Sequence, residues 1–93
     1  MTVIFWIPGP LRPMAGGRSQ VGVHTSGRTL RDALDMLFET HPGIRDRILT
    51  EQGEIRQHVN LFVDNNDARS TGGLATPLAN GVQISIMPAI TGG

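Results

Sequence analysis

The chain has 93 residues, 39% hydrophobic and 17% charged, a composition that favours one globular domain and argues against a disordered chain. Eight arginines balance eight acidic residues and no lysine occurs, so the formal charge is zero, which argues against a nucleic-acid or membrane-surface partner. The absence of cysteine excludes disulfides, thiolate metal sites and a cysteine nucleophile.

The first part of the chain predicts two strands. Residues 2–7 are rich in β-branched and aromatic side chains, and a Pro-Gly-Pro motif ends this strand. Its apolar run is too short for a membrane span or a signal peptide, so we expect cytoplasmic localisation. Residues 11–19 (LRPMAGGRS) are predicted to be a loop and residues 20–24 (QVGVH) a second strand, which favours an antiparallel hairpin.

A single apolar stripe predicts the main helix. Its members recur at spacings of three and four residues: Leu30, Ala33, Leu34, Leu37 and Phe38. Thr29 precedes the stripe and Asp32 follows three residues later, which resembles a capping box. Pro42 ends the helix at about Thr40, and a short further helical turn is expected after it.

Two alternating patterns in the second half predict further strands. Residues 59–63 (VNLFV) and residues 82–87 (VQISIM) each place Val, Leu or Ile on one face. Between them lie an Asx-rich turn at residues 64–67, the irregular segment TGGLATPL and a tight Asn-Gly turn. The order strand, strand, helix, strand, short strand or turn, strand predicts a two-layer α+β domain. One mixed sheet would pack on one main helix.

Side chains with catalytic potential show no grouping that predicts an active site. His24, His41 and His58 are far apart in sequence and share no metal-ligand spacing, so we interpret them as surface or partly buried histidines. No serine lies in a nucleophile-elbow sequence, and no glycine-rich loop opens a helix as phosphate-binding loops do. We therefore expect a protein that is bound or modified by others, without a metal or bound cofactor of its own.

The last six residues, PAITGG, carry the chemical hypothesis. Pro88 has no N–H to donate to a sheet, so we expect residues 1–87 to form the domain and residues 88–93 a flexible tail. Six extended residues reach about 20 Å. Because Gly92 and Gly93 lack a Cβ, this tail would fit a narrow channel in another protein. There the carboxylate of Gly93 would be activated with ATP as an acyl-adenylate.

Residues 58–93 resemble the ubiquitin-like sulfur-carrier family through VNLFV, GGLATPL and PAITGG, in that order. The segments IPGPLRPMAGG and TLRDALDMLFETHPGI are also similar to this family, so the resemblance spans nearly the whole chain. The family includes the small subunit of molybdopterin synthase and the carriers of thiamine and cysteine biosynthesis. The GGLAT segment and the PA-x-x-GG ending are most similar to the cysteine-biosynthesis carrier. The resemblance implies a β-grasp fold, in which the first and last strands pair in parallel at the sheet centre.

The resemblance also implies a reaction for the tail. An E1-like enzyme would adenylate Gly93 with ATP, and sulfide would replace the adenylate and leave a thiocarboxylate. In the cysteine branch a pyridoxal-phosphate synthase would accept the sulfur and a metalloprotease would release the cysteine. In the molybdopterin branch the tail would insert into a large catalytic subunit. The chain would be a protein cosubstrate without catalytic residues.

Partners are expected to dock on an apolar sheet face near the point where the tail leaves the fold. Phe62, Met87 and Ile90 are the candidates for this face, although Phe62 is equally compatible with packing inside the fold. Trp6 is expected in the core or packed on a sheet face. The tail itself would supply further contacts through Pro88, Ala89, Ile90 and Thr91.

Two other functions stay open at this point. A ubiquitin-like modifier would join Gly93 to lysines of target proteins by isopeptide bonds. A β-grasp interaction module would bind partners with its folded body, and its tail would have no acyl chemistry. Thiol-selective alkylation separates these functions from a sulfur carrier, because the chain has no cysteine to react.

Overall fold

The structure is a computed structural model that describes residues 1–88; residues 89–93 lie outside the described part. Within residues 1–88, five strands form one sheet: β1 (Thr2–Trp6), β2 (Gln20–His24), β3 (Val59–Val63), β4 (Asn66–Asp67) and β5 (Val82–Pro88). The helices of this part are α1 (Leu30–Thr40), α2 (Arg45–Ile48) and α3 (Ala68–Thr71), with 3₁₀ helices at Gly9–Ala15, Pro42–Ile44 and Gly73–Ala75.

The strand order is β2-β1-β5-β3-β4, so β5 lies at the centre of the sheet. β1 pairs with β5 in parallel, from Val3 opposite Val82 to Trp6 opposite Ser85. The other pairs, β1 with β2, β3 with β5 and β3 with β4, are antiparallel. This topology confirms the predicted hairpin, the mixed sheet and the β-grasp arrangement with parallel first and last strands.

Helix α1 begins at the predicted capping box. The backbone N–H of Asp32 donates to the Thr29 hydroxyl at 3.3 Å. In return, Oδ2 of Asp32 accepts from the Thr29 hydroxyl at 2.8 Å and from the Thr29 N–H at 3.1 Å. These two hydrogen bonds from Thr29, the hydroxyl's first, lower the pKa of Asp32 below its ordinary value. The predicted further helical turn is also present, as α2 and the short 3₁₀ helix before it.

The core lies between α1 and one face of the sheet. All five members of the predicted stripe are buried, from Leu30 to Phe38. They meet the inward side chains of the strands, which include Phe5, Leu61 and Ile84, each at most 1% exposed. The spacing of apolar residues in the sequence was therefore sufficient to identify both layers of this core.

Two segments that were predicted to be irregular contain short helices. The predicted loop after β1 begins with the 3₁₀ helix Gly9–Ala15, because Leu11 and Ala15 are buried and hold this turn against the core. In the segment TGGLATPL, Gly73–Ala75 forms a 3₁₀ helix that follows α3. The buried hydroxyl of Thr76 closes that turn by donating to the Gly73 carbonyl at 2.6 Å. Such single turns have no apolar period that a sequence pattern could reveal.

Strand β5 continues to Pro88, one residue beyond the predicted end. The Asp64 N–H donates to the Gln83 carbonyl at 2.8 Å, so these two residues form a hydrogen-bonded pair. From this pair, hydrogen-bonded and non-hydrogen-bonded pairs alternate along β3 and β5. Pro88 lies opposite Val59, and by this alternation their pair is not hydrogen-bonded. The missing N–H of proline therefore removes no bond of the ladder. The division into a domain and a flexible tail stays a prediction.

Candidate functional site

The candidate site is the tail exit, the region around Pro88 where the chain leaves the described part of the fold. Pairing of β1 with β5 stops at Trp6 and Ser85, so the last three residues of β5 run beyond the end of β1. Because β5 is the central strand, the predicted tail would begin in the middle of the sheet and not at an edge. The surfaces on both sides of Pro88 therefore border the base of the tail.

The first surface is the open face, the face of the sheet opposite α1. Trp6 in β1 and Phe62 in β3 both pair with Ser85 in β5, so the small serine lies between two aromatic side chains. Met87 follows two residues later on the same face. Trp6 is 39% exposed and Met87 51%, whereas Phe62 is half-buried. The open face thus presents apolar side chains next to the tail exit.

Hydrogen bonds orient the side chains of the open face. The indole N–H of Trp6 donates to Oε1 of Gln83 at 2.8 Å, which holds the ring against β5. On the β3 side, Arg69 donates through Nη1 to Oδ1 of Asn60 at 2.8 Å and through Nη2 to the Arg56 carbonyl at 2.7 Å. Asn60 lies opposite Met87 in the sheet. Arg69 therefore forms a basic rim beside the apolar centre of this face.

The second surface is the exit groove, a concave region of about 550 Å³ on the β1 side of β5. Its walls include Trp6, Pro8, Pro10, Arg12, Met87 and Pro88. Nε of Arg12 donates to the Ile7 carbonyl at 3.0 Å, and this hydrogen bond holds the guanidinium group at its Nε atom. The groove and the open face share Trp6 and Met87, and together they surround the tail exit with apolar side chains and arginine.

This set of side chains is suited to binding another protein. Apolar and aromatic groups with a few arginines are the composition found at the centres of protein–protein interfaces. Among residues 1–88, no three His, Asp or Glu side chains are grouped so that they could hold a metal ion. The same residues include no helix that is long and apolar enough to span a membrane.

The structure brings together three of the predicted site residues, namely Phe62, Met87 and Pro88. The other predicted positions lie outside the described residues: Ala89, Ile90, Thr91, Gly92 and Gly93. Sequence reasoning missed Trp6 and Arg12 as members of the site. For Trp6 a signal existed, since it alternates with Val3 and Phe5, which are buried on the opposite face. For Arg12 no signal existed, because its place depends on the 3₁₀ helix after β1.

Comparisons with known proteins cover the whole chain, including the C-terminal Gly-Gly. The ThiS family model matches residues 5–93. The sulfur carrier protein CysO of Mycobacterium tuberculosis is 39% identical over 95 residues, which include 100% of both chains. Small archaeal modifier protein 1 of Haloferax volcanii is 33% identical over 84 residues, 89% of this chain and 91% of that protein.

A solved structure agrees with this assignment. A chain from the crystal structure of the Amycolatopsis orientalis BexX/CysO complex superposes with a TM-score of 0.87 and 32% sequence identity. The superposition covers 98% of this chain and 99% of that chain. These similarities confirm the resemblance to the ubiquitin-like sulfur carriers that the sequence motifs indicated. The chain belongs to the ThiS family.

Proposed function

We propose that this chain is a sulfur-carrier protein whose C-terminal Gly93 is converted to a thiocarboxylate that donates sulfur in biosynthesis. The observation that carries the proposal is the full-length similarity to CysO together with the Gly-Gly ending. The chain is a protein substrate and not a catalyst. Its C-terminus is the reacting group, the folded body supplies the docking surfaces, and the activating enzyme supplies ATP. The proposal places these steps in the cytoplasm.

The chemistry has two steps. A carboxylate oxygen of Gly93 attacks the α-phosphorus of ATP, and pyrophosphate leaves with the broken P–O bond. Hydrosulfide then attacks the acyl carbon of the adenylate, and AMP leaves, so that a thiocarboxylate replaces the carboxylate. Both attacks need access to an unobstructed backbone terminus in a fixed orientation. Gly92 and Gly93 meet this need because they carry no side chains.

The position of the tail base fits this chemistry. The five residues after Pro88 reach about 17 Å when extended, so an enzyme can bind Gly93 in a channel while the body stays outside. The body would then dock through the open face, with Phe62 and Met87 against the enzyme and Pro88 at the mouth of the channel. Ala89, Ile90 and Thr91 would lie inside the channel.

Cysteine biosynthesis is the sulfur use that the comparisons favour, because the relative with 39% identity is named CysO. The acceptor would be a pyridoxal-phosphate cysteine synthase, and a metalloprotease would release the product from the carrier. A molybdopterin-synthase large subunit or a thiamine pathway would be the acceptor in other branches of the family. The BexX/CysO complex of A. orientalis supports the association of such a carrier with a partner protein.

Thiol-selective alkylation tests the proposal. The chain is incubated with the E1-like enzyme of its own genome, ATP and sulfide, and then alkylated and analysed by mass spectrometry. We expect one adduct per chain, at Gly93, because the sequence has no cysteine that could react. Chains lacking Gly92 and Gly93, or incubated without ATP, should give none. Pyrophosphate exchange in the presence of the 93-residue chain shows that the enzyme is active on it. If exchange occurs and the C-terminus stays unmodified, the proposal is contradicted.

A protein-modifier function is the second candidate, favoured by the similarity to small archaeal modifier protein 1. It predicts isopeptide bonds between Gly93 and lysines of other proteins. The chain cannot serve as such a target itself through lysine, since it contains none. Mass spectrometry of tryptic peptides distinguishes the two functions, because conjugates carry a C-terminal remnant on lysine and a carrier yields free thiocarboxylate. Full function after deletion of Gly92 and Gly93 would instead indicate an interaction module.

A further inference from the structure

We propose that the exposed edge of β2 pairs with the same edge of a second copy of this chain, antiparallel and centred on Gly22. The pairing joins the sheets of the two copies into one continuous sheet. This inference goes beyond the proposed function and does not depend on it, because it involves neither the reacting C-terminus nor an enzyme.

Hydrogen bonds between β1 and β2 show which backbone groups of β2 face outward. The N–H of Thr25 donates to the Met1 carbonyl at 2.9 Å, and the N–H of Ile7 donates to the Ser19 carbonyl at 2.8 Å. Because hydrogen-bonded pairs alternate in an antiparallel ladder, the odd-numbered residues of β2 bond to β1. The even-numbered residues point their N–H and C=O groups away from β1. They are Gln20, Gly22 and His24.

These outward groups form an open edge. Within residues 1–88, β2 pairs with β1 alone, and no hydrogen bond reaches the backbone of Gln20, Gly22 or His24 from another residue. The other edge strand, β4, has two residues and passes directly into α3, so that edge is short. In contrast, β2 has five residues and contains no lysine, proline or bulge, which are the features that commonly block an edge. Such an edge can accept another strand.

The glycine at the middle of β2 supports the close approach of a second backbone. Glycine inside a strand commonly marks a bulge or a site where another backbone comes close. The pairing with β1 is continuous from Gln20 to His24, so Gly22 is not a bulge. A Cβ at Gly22 would meet nothing within 4 Å, so packing within one copy does not require glycine either. Approach of a second copy at this position accounts for it.

The open edge is complementary to itself. With Gly22 opposite Gly22 of the second copy, Gln20 lies opposite His24, and each of these outward pairs exchanges two hydrogen bonds. Nδ1 of His24 lies 3.1 Å from the Thr2 hydroxyl, which leaves Nε2 for the second copy. The amide of Gln20 can donate or accept, so it matches His24 in either tautomer.

The covered face is complementary in the same register. Val21 of one copy lies opposite Val23 of the other, and these side chains are 7% and 6% exposed in a single copy. The apolar core of each copy therefore extends to the edge and continues across the two-fold axis. Arg18 lies opposite Ser26, so like charges do not face each other along this register. A second copy is the partner because one strand supplies both halves of every match.

This pairing leaves the tail exit uncovered. β1 separates β2 from β5, so the second copy does not reach Pro88. Because the two β2 strands run antiparallel, the β5 strands of the two copies also run in opposite directions. The two tail exits therefore lie at opposite ends of the joined sheet and are accessible at the same time.

Sedimentation equilibrium of the 93-residue chain, without enzyme or nucleotide, tests the association. We expect the mass to rise with concentration from 10.0 kDa toward twice that value. Gly22→Lys places like charges opposite each other at the two-fold axis and should raise the Kd of the dimer about tenfold or more. Asn65→Lys, exposed in the turn between β3 and β4, adds the same charge far from β2 and should leave Kd unchanged.

Oxidation of Gly22→Cys tests the register. Residues of a hydrogen-bonded pair have their Cα atoms about 5.5 Å apart, which lies within the range of a disulfide. Since the wild-type chain has no cysteine, a disulfide-linked dimer can form only through the new side chain. We expect Gly22→Cys to cross-link in much higher yield than Asn65→Cys under the same oxidant.

Three results would overturn the inference. The first is a wild-type chain that stays monomeric up to about 1 mM. The second is a Gly22→Lys chain that dimerises as tightly as the wild type. The third is a dimer in which Gly22→Cys cross-links no better than Asn65→Cys. Thermal unfolding of each variant confirms that it is folded, and none of these outcomes bears on adenylation of Gly93, so the proposed function is tested separately.

Discussion

The two faces of the sheet use the same strands for different purposes. On the face covered by α1, Val82, Ile84 and Ile86 of β5 are at most 6% exposed. On the open face, Ser85 and Met87 of the same strand border the tail exit. Residues one position apart in the sequence therefore pack in the core or lie at the surface according to the face on which they lie, and the proposed function assigns recognition to those at the surface. The comparison predicts that substitutions on the covered face change the free energy of unfolding, and those on the open face change binding.

The largest expected effect is on the covered face. Phe5→Ala should lower the free energy of unfolding by about 3 to 5 kcal/mol, because the ring is fully buried and its removal leaves a cavity. Denaturant unfolding followed by circular dichroism measures the change. Met87→Ala is the matched substitution on the open face and should cost less than about 0.5 kcal/mol. Similar losses for both variants would contradict the division between the faces.

On the open face, a substitution should change binding and leave stability almost unchanged. Met87→Asp should weaken binding to the E1-like enzyme about tenfold, since it places a charge at the centre of an apolar contact. Its thermal unfolding should stay close to that of the wild type, because half of this side chain is in water already. Calorimetry of the full chain measures the affinity. Arg31→Glu, on the exposed side of α1, is the control and should bind as the wild type does. If the Met87→Asp chain binds as tightly as the wild type, the open face is not part of the docking surface.

A smaller effect is expected at the start of α1. A Cβ at Gly27 would lie 2.2 Å from Cγ of Asp32, so Gly27→Ala should displace the Asp32 side chain from the capping box. The expected loss is about 1 kcal/mol, typical of a helix N-cap. Gly22→Ala, where a Cβ meets nothing within 4 Å, is the control. The prediction fails if thermal unfolding shifts equally for both variants.

The smallest effect is the pH dependence that comes from Asp32. Because hydrogen bonds from Thr29 lower its pKa in the folded state, Asp32 binds a proton more readily when the chain is unfolded. Its contribution to stability is complete above the unfolded pKa and is lost as the pH falls toward the lower folded value. The melting temperatures of wild type and Asp32→Asn should therefore converge on acidification below about pH 4. Asp35→Asn is the matched control, and parallel curves for wild type and Asp32→Asn would contradict this effect.

Much of the fold could be predicted because its signals are local or periodic. The stripe on α1 and the alternation in β1, β3 and β5 record which face each residue buries, and Thr29 with Asp32 records where the helix begins. The short helices at residues 9–15 and 73–75 could not be predicted, since single turns owe their shape to buried contacts such as those of Leu11 and Thr76. The end of β5 was predicted one residue too early. Pro88 can continue the strand because it lies opposite Val59 in a pair without hydrogen bonds, and this register depends on both strands and not on the sequence of β5 alone.

The candidate site divides in the same way. The sequence by itself supplied the chemical hypothesis: a reaction at the Gly-Gly that follows an apolar strand, in a chain without cysteine. Only the tertiary structure decided that Trp6 and Arg12 border the tail exit, although they are more than 75 residues from Pro88 in the chain. The physical reason is that parallel pairing of the first and last strands brings distant residues together. No local pattern records such a contact, whereas the reactivity of a terminal carboxylate depends only on the few residues that carry it.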